Sequence, residues 1–447
     1  MAEDIEHSEP VTMELARRIV AGRDAAPDAA AVTVAKQCIL DWFGVTLAGL
    51  EEPVARLLRE EIAGHSTGEA TIVGSTGKCA PADAALINGA ASHALDYDDV
   101  HPLVGHPTVA ILPAVLAIAE AEQASGEKVL RAFIAGYEAA AFIGSLAMPS
   151  HYDRGFHSTA TLGSFGAAAA AGLLLDLDEG EMAMALGLAG TQAAGLKSMF
   201  GTMAKPFHAG KAASNGVLAA RLARRGFTAH PDVLGVPQGF IATQSDRRTM
   251  PETPPEFPGN RVADTLFKFH AACYLTHSSI EAVGGLCRDG ALLPDDIASI
   301  DIHVAPGHLK VCNIPAPHTG LEVKFSLAHV AALAASGIDT AAPESYSDKI
   351  ALDPALVAIR NRTTIHGDRR AGTGADILIK TRSGGSFTAE TDVGIPDRNL
   401  ERQGERLLRK FRSLTGPVIG PERAERLRQR IESLESADNI HSMMKLE

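Results

Sequence analysis

Between residues 11 and 225 apolar positions recur with a helical period, interrupted by short polar turns. Residues 11–23 and 28–49 read as two helices. The second carries Ala31, Val34, Ala35, Cys38, Ile39 and Phe43 at helical spacing. ATIVGS at 70–75 reads as a short strand. Pro81 opens a helix through about His93, and Thr108–Ala124 forms another, stopped by Ser125-Gly126. Further helices are predicted near 128–147, 158–175 and 179–195. Ser158 to Leu175 contains no charged residue, but a membrane span needs about 20 predominantly apolar residues. This small-residue run, closed by Asp176, therefore reads as a buried core helix. Pro206–Arg225 has proline at its start, Arg224 and Arg225 in its last turn and Gly226 after it.

The texture changes after about residue 250. MPETPPEFPG is a proline-rich connector. Ile300, Ile302 and Val304 alternate as in a half-buried strand. Ala375–Val393 reads as a hairpin around Ser383-Gly384-Gly385-Ser386, and helices are predicted near 278–290 and 323–337. From about 397 the chain is charged and helical again (LERQGERLLRKF, PERAERLRQRIESL). The expected fold is mainly α. A large all-helical domain takes residues 1–265 and 396–447, and a smaller α+β domain takes 266–395.

Length and composition sharpen this. A chain of 447 residues exceeds one ordinary core. Abundant Ala and Gly, with few aromatics, favour closely packed helices. A net charge of −13 argues against nucleic acid and anionic membrane as partners. Any site for an anionic substrate must then be locally positive. The cysteines (Cys38, Cys79, Cys273, Cys287, Cys312) form no C-x-x-C pair, which fits a reducing cytoplasm. The opening MAEDIEHSEP is acidic and polar, unlike a signal peptide.

The candidate chemistry lies at helix starts. His106-Pro107, His157-Ser158, Lys205-Pro206 and His277-Ser278 each place a titratable residue directly before a predicted helix. Ser278 and Glu281 have capping-box spacing. Helix N-termini carry unpaired N–H groups and the positive end of the macrodipole, and so attract anions. If these ends converge, they suit a poly-carboxylate substrate. The segment 91–107 holds Asp96, Asp98, Asp99, His101 and His106. It allows a general acid/base pair, a metal site, or simply an acidic helix end and loop. Arg154 and His157 precede an apolar helix, and Lys205, His208 and Lys211 crowd another helix start, where cations oppose the macrodipole. His270, Tyr274 and His277 lie in 268–282. No dinucleotide-binding G-x-G-x-x-G, P-loop or G-x-S-x-G elbow is present.

Together, ILDWFGVTLAG at 39–49, NGAASHALDYDDVHPLVGHPT at 88–108, KPFHAGKAASNGVLAARLARRGFT at 205–228, KFHAACYLTHSSIEA at 268–282 and GLEVKFSLAHVAA at 320–332 resemble the MmgE/PrpD family nearly end to end. The resemblance implies a helical domain with a smaller α+β lid, a homodimer, no cofactor, and an active site between the domains; no residue is assigned to a metal in this reading. It implies Asp96, His106, His157, Lys205 and His277 as catalytic residues, with Lys205 and His157 also holding carboxylates. Arg154, His208 and His329 are further substrate-binding candidates. In this scheme Asp96 orients a histidine, His106 moves the carbon proton and His277 is its partner acid or base. Two positions depart from the pattern of the family's decarboxylases: Val100 replaces a threonine and His329 a tyrosine. The implied activity is a cofactor-independent lyase, dehydrating or decarboxylating a small di- or tricarboxylic acid. Alternatives are an epimerase or racemase of a substituted succinate, a metal-dependent hydrolase using Asp96, Asp98, His101 and His106, and a carboxylate binder without turnover.

Overall fold

The computed structural model describes residues 10–446 except 252, 254 and 289–291, so the acidic opening segment lies outside it apart from Pro10. Up to residue 265 the chain forms helices α1 (Val11–Ala21), α2 (Ala29–Ala48), α3 (Pro53–Ile62), α4 (Pro81–His93), α5 (Pro107–Ala121), α6 (Gly126–Ala147), α7 (Ser150–Asp153), α8 (Ser158–Leu174), α9 (Glu179–Gln192), α10 (Ala204–Ala223) and α11 (Phe240–Gln244). The small ribbon of β1 (Ala70–Thr71) and β2 (Lys78–Cys79) is antiparallel. Then come α12 (His277–Cys287), β3 (Ile297–His303), α13 (Pro306–Val311), α14 (Gly320–Val323), α15 (Leu327–Ala335), α16 (Asp348–Ala351), α17 (Pro354–Arg360), β4 (Thr363–His366), β5 (Ala375–Thr381) and β6 (Ser386–Thr391). The chain ends with α18 (Leu400–Ile419), α19 (Pro421–Glu432) and α20 (His441–Met444). The fold is mainly α.

Two compact units result. The first comprises residues 1–265 with 400–447, and the second Leu266–Asn399. In the first, α10 packs against α4, α5, α8 and α9, and α18 lies along α2. Every residue of α8 is buried, as expected of an uncharged core helix. α2 and α6 are long and apolar enough to cross a membrane by length and composition, yet most of each is buried inside the fold.

Local sequence sets the helix starts. Asp28 and Ser125 accept from Ala31 N–H and Lys128 N–H, and Asp178 with Glu181 forms a capping box at α9. Small residues set the crossings. A Cβ on Gly210 would lie 2.1 Å from Leu86 O, and one on Gly89 would lie 2.7 Å from Gly210 Cα. The bare glycines let α4 and α10 nearly touch along their backbones, which brings the C-terminal end of α4 beside the first turn of α10.

In the second unit the sheet order is β4-β3-β5-β6, with β3 parallel to β4 and antiparallel to β5. α12 packs on β5 and β6, and α15 lies between α12 and α17. Ile300 and Ile302 in β3 and Val304 just after it are buried, in keeping with the alternating pattern, while Ile297 is buried too because the register shifts between Ile297 and Ser299. The hairpin turn lies at 382–385, as Ser383-Gly384-Gly385 predicts.

Candidate active site

Three of the helix starts identified in sequence meet in the first unit. His106 is the N-cap of α5 and His157 the N-cap of α8, and neither side chain caps its own helix. Their rings are therefore available to other partners. His106 N–H donates to Thr159 Oγ1 at 3.0 Å, which ties the start of α5 to the first turn of α8. His157 Nδ1 lies 3.1 Å from His208 Nδ1 in α10, so one ring donates to the other. α10 begins at Ala204 rather than Pro206, which puts Lys205 inside its first turn. Proline is tolerated there because the first-turn N–H groups have no helical partner.

Asp96 and Asp98 divide the labour differently from the expectation. Asp96 sits in the loop after α4 with φ +50, a left-handed conformation uncommon for residues other than glycine. Its carboxylate is 2.8 Å from Lys205 Nζ and 3.6 Å from His106 Nε2. Asp98 is the carboxylate at the histidine Nδ1 atoms. Its Oδ1 is 2.8 Å from His93 Nδ1, and its Oδ2 is 2.8 Å from His106 Nδ1. His93 Nδ1 is hydrogen-bonded to Asp98, which leaves its Nε2 as the basic nitrogen, whereas His106 Nδ1 lies beside the same carboxylate as an ion-pair contact.

His93, the last residue of α4, was not singled out from sequence. It is buried, its ring centroid lies 4.6 Å from that of His106, and it stacks on His157 at 6.1 Å. The signal available was the run SHALDYDD, in which a histidine closes a helix five residues before Asp98. Phe200 packs edge-on against His157 and lies beneath Lys205 Nζ, 5.3 Å from the ring centroid.

The electrostatics follow from burial. Burial pushes the pKa of His93 down to about 4, against the pull of Asp98 and with help from Lys205. His157 is lowered well below the usual imidazole range, first by burial and then by His93, Lys205, His106 and His208. His208 is lowered by burial and by His93. Burial would raise Asp98, but the charges and hydrogen bonds of His93 and His106 overcome it and hold the carboxyl well below its ordinary value. Asp99 shows the opposite outcome. Burial takes it up to about 7, although Thr108 Oγ1 donates to its Oδ2.

The other candidates lie elsewhere. Arg154 is near the surface, with its Nε 2.9 Å from Asp246 and its Nη1 donating to Thr243 O. His101 packs edge-on against Tyr137 and accepts from Leu103 N–H. In the second unit His277 is the first residue of α12 rather than preceding it. Its Nε2 lies 3.2 Å from Ala272 O, with the His270 and Tyr274 rings at 4.9 and 5.1 Å. The expected capping box at Ser278 does not form. Ser278 Oγ donates to Thr373 O, and Glu281 pairs with His270. His329 is buried in α15. Burial lowers it to about 4, Arg360 adds to that, and the Ile350 backbone and Asp353 oppose it.

One group of side chains has metal-ligand character. Donor atoms of His93, Asp96, Asp98 and His106 all lie within 4.8 Å of one another, so His93 takes the place that sequence reasoning gave to His101. These donors also have partners within the protein. Asp98 faces two imidazoles and Asp96 faces an ammonium. The arrangement as it stands can bind carboxylates, through Lys205 and the helix N-termini, and offers neutral imidazoles for proton transfer.

The MmgE/PrpD N-terminal domain pattern matches residues 14–253 and the C-terminal domain pattern residues 270–436, and the chain belongs to the MmgE/PrpD family. Among individual proteins it is 28% identical to a cis-aconitate decarboxylase of Aspergillus terreus (strain NIH 2624 / FGSC A1156), over 92% of this chain and 90% of that protein. It is 30% identical to the cis-aconitate decarboxylase of Homo sapiens over 66% of this chain and 64% of that protein. The enzyme of that name from Mus musculus is 25% identical over 92% and 88%.

Proposed function

We propose that this chain is a lyase acting on a small di- or tricarboxylic acid, by proton transfer at a carbon next to a carboxylate. The observation that carries this reading is the meeting of three helix N-termini around Lys205, His106 and His157, with Asp98 behind the imidazoles. Cleavage of a bond at that carbon leaves an electron pair that spreads into the carboxylate as an enediolate. Fixed N–H dipoles and Lys205 stabilise such charge without reorganising. His106, with its Nδ1 side 2.8 Å from Asp98, presents Nε2 to take or return the carbon proton. His157 and Lys205 hold carboxylates, with His208 as the hydrogen-bonding partner of His157. Asp96 serves as the resident counter-ion of Lys205, which a substrate carboxylate displaces. His277 stays in the proposal as the second acid or base. The names of the relatives make cis-aconitate the first substrate to try, although Val100 and His329 depart from the decarboxylase pattern. The working form is taken to be a cytoplasmic homodimer without a cofactor.

The test is proton NMR in heavy water, using EDTA-treated protein with cis-aconitate, 2-methylcitrate, citrate, malate and substituted succinates. A decarboxylated or dehydrated product supports the lyase. Deuterium exchange with inversion and no loss of carbon dioxide or water replaces it with the epimerase. Turnover only after a divalent metal is restored overturns cofactor independence and favours the hydrolase reading. Light scattering on the same sample reads the oligomeric state.

A further inference from the structure

One buried charge in the first unit plays no part in the chemistry above. In α18 the positions Leu407, Lys410, Phe411 and Leu414 form the stripe packed into the core, so a lysine occupies an apolar face. Lys410 is almost fully buried, and so is its partner Asp41 in α2, with Nζ and Oδ1 2.7 Å apart. The same Nζ donates to Tyr97 O at 2.6 Å and lies 3.9 Å from the centroid of the Tyr97 ring. Tyr97 is the residue between Asp96, in its left-handed conformation, and Asp98, which meets His93 and His106.

A buried ion pair is a poor device for stability alone. Desolvation of both ions consumes most of the attraction, and well-packed apolar residues often do as well or better. Burial still raises Asp41 to about 6 despite the adjacent ammonium. The hydrogen bond to the Tyr97 carbonyl gives the pair another use. It anchors the turn on which two site carboxylates are mounted, from a helix more than 300 residues away in sequence.

We propose that Lys410 is a positioning residue for the catalytic turn, holding the Tyr97 carbonyl so that Asp98 meets His93 and His106 and Asp96 meets Lys205. The consequence for turnover rests on the lyase reading; the consequence for the turn itself does not. Lys410→Met alone leaves Asp41 as an uncompensated buried charge and risks unfolding, whereas Lys410→Met with Asp41→Asn removes both charges. In the folded double variant kcat falls by about 10- to 100-fold, as expected for a catalytic group displaced by around an ångström, while KM stays within about 3-fold. Amide hydrogen exchange over residues 94–106 accelerates by about 10-fold or more, while α8 stays as protected as in the parent protein. A folded double variant whose 94–106 segment exchanges at the parental rate overturns the proposal, as does one with parental kcat. If the parent protein turns over nothing in the substrate panel, the lyase reading fails by itself, and the exchange measurement still decides for or against Lys410.

Discussion

Asp98 Oδ2 lies 2.8 Å from His106 Nδ1, and the other oxygen of the same carboxylate is equally close to His93 Nδ1. One buried carboxylate therefore lies against the Nδ1 atoms of two histidines, hydrogen-bonded to His93 and paired by proximity with His106. Asp98→Asn presents an amide that can turn an N–H toward one Nδ1 and force the wrong tautomer. We expect kcat to fall by on the order of 100-fold or more, the scale of one general-base contribution, with a smaller change in KM. Steady-state kinetics on the substrate found by NMR checks this, and unchanged kcat would remove Asp98 from the orienting role.

Lys205 makes the contrasting prediction. Its ammonium pairs with Asp96 in the resting site and is assigned to a substrate carboxylate during turnover. Lys205→Met should weaken binding by about 2–3 kcal/mol, the size of a hydrogen bond to a charged group. That appears as a rise in KM, or as weaker inhibition by a non-reactive tricarboxylate in calorimetry. Affinity within 2-fold of the parent, a margin of about 0.4 kcal/mol, would show that another group holds the carboxylate.

Arg154 should matter little. It is paired with Asp246 in a partly exposed position, and surface pairs of this kind contribute about 0–1 kcal/mol. Arg154→Ala is expected to leave KM and thermal stability nearly unchanged. A large rise in KM would place Arg154 on the substrate in the working enzyme.

The crossing of α4 and α10 predicts a structural lesion with a functional echo. Gly210→Ala puts a methyl group where the backbone oxygen of Leu86 already lies. Forced separation of tightly packed helices costs about 1–3 kcal/mol, readable as a lower thermal midpoint. Because the same crossing sets Lys205 beside the end of α4, activity should drop in molecules that remain folded.

Asp99 makes stability depend on pH. Its pKa is about 7 in the folded protein, and an unfolded aspartate titrates near 3.9. Between those values the folded state binds the additional proton, so this group disfavours folding progressively as pH rises from about 4 to 7. Asp99→Asn removes that contribution. Its thermal midpoint relative to the parent should therefore improve as pH increases from 5 to 7. His93, lowered to about 4, pulls the other way over about pH 4 to 6.5, so the difference between variant and parent is the quantity to follow. A constant difference across this range would mean that Asp99 is already ionised in the folded protein.

Much of this protein can be read from its sequence. Helical periodicity located α2, α4, α5, α8 and α10 to within a few residues, because backbone period and capping are local properties. Adjacency of His106 and His157 to helix starts was legible for the same reason. The partners of those side chains were not. The family resemblance implied Asp96 as the orienting carboxylate, but the left-handed backbone at Asp96 turns the chain, so that Asp98 lies at the Nδ1 atoms of the imidazoles and Asp96 meets Lys205 and, more distantly, His106 Nε2. His93 joins the cluster because α4 ends where bare glycines let α10 approach. The burial of Lys410 depends on α18 packing against α2, and RLLRKFRSL by itself reads as an ordinary charged helix. Local pattern determined the elements and the residues at their ends. Close approaches between distant segments decided which charges face one another, because hydrogen bonds and desolvation act across space and not along the chain.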